Sequence, residues 1–146
     1  MAGESQSKLY TPEILALAVE LASYPLAPDL RFMGEARSRT CGSVLKLGLE
    51  FGPDGRVTRV GLQATACAIG QAAAALFAKG ATGQDGAGLA RHGQVLEHWL
   101  AGTGPRPDWP GIGMLDHARH YPARHGAILL PWKAAQAALG KAETAG

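Results

Sequence analysis

Val44-Leu45-Lys46-Leu47-Gly48-Leu49-Glu50-Phe51, followed by Gly52-Pro53-Asp54-Gly55 and then by Val57-Thr58-Arg59-Val60-Gly61-Leu62-Gln63-Ala64, is the stretch on which the fold turns. In the first block Leu45, Leu47, Leu49 and Phe51 alternate with Lys46, Gly48 and Glu50, the period of two expected of a half-buried strand. The glycine- and proline-containing block is a turn. Alternation resumes beyond it, with Thr58, Val60, Leu62 and Ala64 on one side, so the two runs are expected to form an antiparallel hairpin. A strand near Leu30 to Glu35 would complete a sheet of about three strands.

Helical periodicity surrounds this hairpin. Thr11-Pro12-Glu13 has the composition of a helix start: Thr11 as N-cap, Pro12 at the first helical position and Glu13 near the positive end of the dipole. Ile14, Leu15, Ala18, Leu21 and Ala22 then share a face, and the helix is expected to stop before Tyr24-Pro25-Leu26-Ala27-Pro28. Ala68 to Lys79 reads as a helix with Gly80 as its left-handed C-cap. Residues 81–88 read as a flexible connector. Leu89, Val95, Leu96, Trp99 and Leu100 give an amphipathic helix ending at Gly102, and a proline-rich loop leads to Pro110. A short helix is expected from Ile112 to His120. A last one is expected to begin near Ala127 and place Pro131 in its first turn, with Trp132, Ala135 and Leu139 on its buried side. The fold class is therefore α+β, a small antiparallel sheet packed against several helices. One domain spans residues 8–140, with residues 1–7 and 141–146 as flexible termini.

At 146 residues the chain can close a single core without disulfide or metal staples. A hydrophobic fraction of 47% with 18% charged residues is that of a globular protein. The formal charge of +2 and the dispersed arginines argue against nucleic acid as a partner. No run approaches the about 20 apolar residues of a membrane span, and residues 1–9 lack the apolar core of a secretion signal, so no membrane partner and a cytoplasmic location are expected.

In that compartment the two cysteines, Cys41 and Cys67, read as free thiols or ligands rather than as a bridge. Cys41 lies just ahead of the first strand. Cys67 lies at the mouth of the alanine-rich helix, where unpaired backbone N–H groups and the positive dipole end stabilise a thiolate. The competing reading of each is an inert buried residue, since free cysteine is among the most buried types.

Taken in order, Thr40-Cys41-Gly42-Ser43-Val44, the turn, the second strand, Cys67-Ala68-Ile69-Gly70 and Tyr121-Pro122-Ala123-Arg124-His125-Gly126-Ala127 resemble the U-type iron–sulfur cluster scaffold family: IscU, SufU and the N-terminal domain of NifU. The long gap between the second and third motifs resembles the SufU branch. The resemblance covers nearly the whole chain and implies a SufE/NifU-like fold. It also implies a carrier rather than an enzyme, with a cysteine desulfurase as sulfur-donating partner and recipient apo-proteins downstream. It carries two ligands over to Cys41 and Cys67. The family's Cys-Gly-Asp reads Cys41-Gly42-Ser43 here, and its third cysteine falls on Gly126, so an aspartate and a thiolate of the expected four donors are absent. His125, next to Gly126, is the candidate replacement ligand, as histidine replaces cysteine in some [2Fe-2S] centres. Its competing reading is a solvated loop histidine. The expected cargo is iron or a labile [2Fe-2S] cluster, with zinc as an alternative. Arg37, Arg39 and Arg124 would favour anionic sulfide species nearby. Persulfide relay through Cys67 and a metal-free role as a desulfurase partner are the other functions such a chain can serve.

Other polar groups carry less. Asp116, His117 and His120 read as a solvated helix end rather than a separate metal centre, and Trp99, Trp109 and Trp132 as packing. No phosphate-binding glycine motif and no Gly-x-Ser-x-Gly hydrolase motif is present.

Overall fold

The computed structural model describes residues 9–39 and 42–145; of residues 141–145 only the backbone is described. The expected flexible segment 1–7 lies outside the described residues, as does Cys41. The described chain runs α1 (Pro12–Glu20), a 3-10 turn (Leu21–Ser23), β1 (Phe32–Arg37), β2 (Val44–Phe51), β3 (Val57–Thr65), α2 (Ala68–Ala81), α3 (Gly86–Leu100), two further 3-10 turns (Ile112–Leu115 and Ala118–His120) and α4 (Pro122–Ala145). The three strands form one antiparallel sheet in the order β1-β2-β3. The α+β architecture expected from the hydrophobic pattern is the one observed.

The alternation in β2 places Leu45, Leu47 and Leu49 on the core face, each at most 1% exposed. Across the strand pair they meet Ala64, Leu62 and Val60. A bulge between Glu50 and Phe51 then pairs Phe51 with Val57, so Val57 is buried and Thr58 is exposed. Thr58 had been expected on the side of Val60, and the bulge is the reason it is not. β1 lies further along the chain than Leu30 to Glu35 and runs antiparallel to β2, Arg37 facing Val44. Leu30 instead folds over the sheet's other face above Gly48 and Gly61.

Helix α2 is the centre of the core. Ile69, the run from Ala72 to Ala78, Gly80 and Ala81 are all buried. Gly80 does not cap it: the helix continues to Ala81, and the left-handed residue is Gly83, at φ +90°. Gly80 is needed for another reason, because the Trp109 indole lies against it and donates from Nε1 to the Leu76 carbonyl at 2.8 Å. Trp109 stacks on Phe77 with centroids 5.7 Å apart, and Trp132 meets both rings edge-on. The tryptophans are packing residues, as read.

The 81–88 segment is shorter as a connector than expected, because Asp85 already caps α3, accepting from the Gly88 N–H at 2.7 Å. The single helix expected from Ile112 to His120 is two 3-10 turns, held by bonds such as Met114 N–H to the Gly111 carbonyl and His120 N–H to the His117 carbonyl. α4 begins at Pro122 rather than near Ala127, so Pro131 sits inside it and not in its first turn. Pro122 occupies the start position that Pro131 had been assigned, while Pro131 is buried with Leu130 and Trp132 and the core holds the helix together around it. The helix continues past residue 140 to Ala145. In α1 the buried residues are Ile14 and Leu17, and Leu15 is 46% exposed. Among the described residues no helix is long and apolar enough to cross a membrane.

Candidate sulfur and metal site

β3 ends at Thr65, and Cys67 follows as the N-cap of α2 with extended backbone at φ −65° and ψ 171°. Serine or aspartate at such a position would spend its side chain on the helix's first N–H groups. Cys67 makes no side-chain cap bond and remains a free, half-buried thiol. Its carbonyl accepts from the Gln71 N–H at 2.9 Å, and the Gln71 side chain donates to the Ala66 carbonyl at 2.9 Å, so the approach to the helix is fixed while the sulfur is left for other work.

Tyr10 is the group whose titration Cys67 influences. It stands between Leu9, buried at 4% exposure, and Thr11, whose Oγ1 accepts from the Ile14 N–H at 3.2 Å as the N-cap of α1. Burial pushes the phenol above its ordinary value, and the negative charge and hydrogen bond of Cys67 add to that, while the Arg124 guanidinium pulls the other way. Arg124 belongs to the first turn of α4. Three residues further on, Ala127 faces α2 at Gly70. Residues three apart share a helix face, so Arg124 and Ala127 lie on the side of α4 turned toward the start of α2. The starts of α1, α2 and α4 thus lie near one another: Leu9, Thr11 and Ile14 line one surface pocket with Ile69, and Gly70 meets Ala127.

The described residues flanking Cys41 lie at the same end of the sheet. Arg37 pairs with Val44 and Val44 with Thr65, so β3 hands over to Cys67 beside the β1–β2 turn. The Ser38 N–H donates to the Ser43 carbonyl at 2.9 Å, and the Gly42 N–H to the Ser38 carbonyl at 3.2 Å. Gly42 has φ +70°, a left-handed conformation that glycine adopts without strain. Ser43, at the place of the expected aspartate, is 5% exposed.

His125 is also in the first turns of α4, two residues from Ala127 and therefore on a different side of the helix. Its Nε2–H donates to the Arg119 carbonyl at 2.7 Å, which leaves Nδ1 as the lone-pair nitrogen of the neutral ring. Arg119 is held in turn by its Nε bond to the Trp99 carbonyl at 3.1 Å and by the Trp99 ring 5.6 Å below its guanidinium. Gly126 is half-buried and offers no side-chain donor. His117 and His120 are exposed, one immediately before the second 3-10 turn and the other at its end. Among the described residues no three His, Cys, Asp or Glu side chains gather into a metal-holding group.

Tyr10 was not among the residues singled out from the sequence. Its only local signal is its place immediately before the Thr11-Pro12 helix start, and its role depends on where α2 and α4 begin in space.

No family model matches the sequence, and no curated protein matches it significantly. Solved structures do. The NifU-like protein (N-terminal) from Brucella abortus is 25% identical with a TM-score of 0.81, over 97% of this chain and 99% of that one. A SufU protein from thermophilic Fervidobacterium islandicum AW-1, described as an iron–sulfur cluster assembly scaffold for the SUF system, is 20% identical with a TM-score of 0.76, over 90% and 96% of the two chains. Both alignments run nearly end to end, so the likeness is of the whole domain and not of one motif. Together with the cysteine motifs in their order along the chain, it places this protein in fold among the U-type iron–sulfur cluster scaffolds.

Proposed function

We propose that the protein serves iron–sulfur cluster assembly as a scaffold-like carrier, taking iron or a labile [2Fe-2S] cluster as cargo through the thiolates of Cys41 and Cys67. The observation that carries this reading is Cys67 itself: an N-cap residue whose side chain caps nothing, at the start of a helix whose neighbours' starts lie close by, in a U-type fold. Positive helix ends suit an electron-rich, anionic cargo. Thiolates are soft ligands that suit iron–sulfur units, and zinc as an alternative. The Nδ1 of His125 is the nitrogen donor that the tautomer leaves for a further bond, and a backbone carbonyl on the other ring nitrogen is a usual arrangement for ligating histidines. A cysteine desulfurase as sulfur donor and apo-proteins as recipients are the partners this role requires, in the cytoplasm. The role is one of carrying, with no turnover chemistry assigned to the chain.

Anaerobic reconstitution with iron and sulfide tests this. Wild type is expected to develop sulfur-to-iron absorption in the visible region and Cys67→Ser to lose it; identical, featureless spectra in both end the reading.

A second reading has its own support. With Ser43 and Gly126 in place of the aspartate and third cysteine, the side chains left to hold a metal fall short of the usual four ligands. The chain then acts without metal, as a desulfurase partner or as a sulfur relay through Cys67. Incubation with a cysteine desulfurase and cysteine, followed by mass spectrometry, separates these. A persulfide mass shift on Cys67 supports relay, and binding to the desulfurase with neither shift nor metal supports the partner role.

A further inference from the structure

One edge of the sheet is closed by the chain itself and the other is left open. Along the β3 edge the Val57 N–H donates to the Gln84 carbonyl at 2.8 Å, the Val57 carbonyl accepts from the Gly83 N–H at 2.9 Å, and the Leu62 N–H donates to the Tyr24 carbonyl at 2.8 Å. β1 is the opposite edge. There the Ser38 N–H turns toward β2 and reaches the Ser43 carbonyl. Bonded and non-bonded pairs alternate along an antiparallel ladder, so the N–H and C=O groups of Arg37, Glu35 and Met33 point away from β2. Leu62 gives the same answer independently. Its N–H leaves the sheet, so Leu47 bonds to Gly34 rather than to Leu62, and the neighbours of Gly34 in β1 face outward. Among the described residues nothing bonds to these outward backbone groups, and Met33, Glu35 and Arg37 are exposed.

We propose that this edge pairs with the same edge of a second copy of the chain, β1 against β1 and antiparallel, so that the sheets of both copies become one across a two-fold axis. The charges choose the occupant. Edge charges of one sign keep strands apart. Glu35 and Arg37 instead have opposite signs on one face of β1, and they lie 3.3 Å apart. An antiparallel copy centred on Ala36 sets Glu35 opposite Arg37 of the second copy and Arg37 opposite its Glu35, giving cross-strand ion pairs related by the axis. The backbone suits the same register, because Glu35 and Arg37 both direct their N–H and C=O groups outward and can exchange bonds in both directions. Ala36 then meets its own copy on the axis at a non-bonded position, where Cα atoms approach to about 4.5 Å and a small side chain fits. In the single chain Ala36 is only partly buried against the core, and the second copy completes its burial. Neither cargo nor a desulfurase is needed for this pairing, so it stands apart from the carrier role.

Sedimentation velocity of the full chain, from micromolar to millimolar concentration, is expected to show a monomer–dimer equilibrium that weakens with added salt. Arg37→Glu places like charges opposite each other on both sides of the axis and is expected to raise the dissociation constant about tenfold, as is Glu35→Arg. Glu35→Arg combined with Arg37→Glu restores opposite charges in the same register and is expected to restore the dimer. Amide hydrogen exchange reads the edge in the wild type without any substitution. The Glu35 and Arg37 amides are expected to slow as concentration rises, while those of Gly34 and Ala36, bonded to β2, are slow throughout. A chain that stays monomeric over the whole range overturns the proposal and leaves the edge to a strand of another protein. A dimer indifferent to Arg37→Glu, or Glu35 and Arg37 amides whose exchange ignores concentration, overturns it as well, because another surface then makes the contact.

Discussion

Gly70 of α2 stands directly against Ala127 of α4: a Cβ on Gly70 would lie 3.3 Å from the Ala127 Cβ and 2.7 Å from the Ala66 Cβ. This contact sets how closely the two helix starts approach. Gly70→Ala brings two opposed effects. Alanine gains about 1 kcal/mol over glycine in helix propensity. The new methyl, however, meets two methyls that are attached directly to the backbone and cannot swing away, and overpacking of that kind costs about 1–3 kcal/mol. Destabilisation is expected, read as a lower Tm by thermal unfolding. A Tm raised by the substitution would mean that the two helices are not in contact there.

Tyr10 gives the protein a pH dependence at the alkaline end. Its phenol titrates above the ordinary value of 10.0 in the folded chain. Above pH 10 the unfolded chain therefore loses this proton first. The stability that Tyr10 contributes is full below pH 10 and disappears as pH rises through the folded-state value. Cys67→Ala removes a charge and a hydrogen bond that both raise the phenol, so its titration, followed by tyrosinate absorbance, is expected to move down. Arg124→Gln removes the opposing influence and is expected to move it up. Shifts of the reverse sign in the two variants would separate Tyr10 from both residues.

Gly80 and Trp109 form a pair whose substitutions should not add. A Cβ on Gly80 would lie 2.6 Å from the indole Nε1 and Cε2 and 2.9 Å from Cζ2. Gly80→Ala alone is expected to be clearly destabilising. Trp109→Phe gives up the 2.8 Å bond to Leu76 and part of a stacked aromatic cluster, at a cost of about 2–4 kcal/mol. Phenylalanine also removes Nε1 and shrinks the ring system that the new methyl would strike. The double variant is therefore expected to lose less stability in denaturant unfolding than the two singles combined. Strict additivity would show that the ring can move aside.

Which parts of this were legible in the sequence follows from how local their causes are. The hairpin was, because alternation in Leu45 to Phe51 and a Gly-Pro-Asp-Gly turn are properties of neighbours in the chain. The Thr11 cap was legible for the same reason. Gly80 was misread, since a glycine followed by a loop-like sequence looks like a C-cap, and only the fold brings Trp109 across it from 29 positions further along. Pro131 was misread because the rule against interior proline is a local one, and the buried packing around it outweighs the lost hydrogen bond. At the site, the helix-start position of Cys67 could be read from its flanks. The influence of Cys67 on Tyr10 could not, because nothing local joins a residue ahead of α1 to the start of α2.

The dependence of the fold on metal separates cargo from structure. Leu45, Leu47, Leu49, Ile69, Phe77, Leu96, Ile128 and Trp132 are each at most 2% exposed and belong to one continuous core. A structural metal is required where a small domain cannot build such a core, and removing it then unfolds the chain. Here Cys67 packs only against that cluster's edge. Treatment with a strong chelator is therefore expected to move Tm by less than about 2 °C, which for a chain of this size is below about 1 kcal/mol. Saturating cargo is expected to raise Tm in proportion to the logarithm of its excess over Kd, and Cys67→Ser to abolish that rise while leaving the chelated protein's Tm in place. A fall of ten degrees or more on chelation would make the metal part of the fold and remove the reason for regarding it as something the protein hands on.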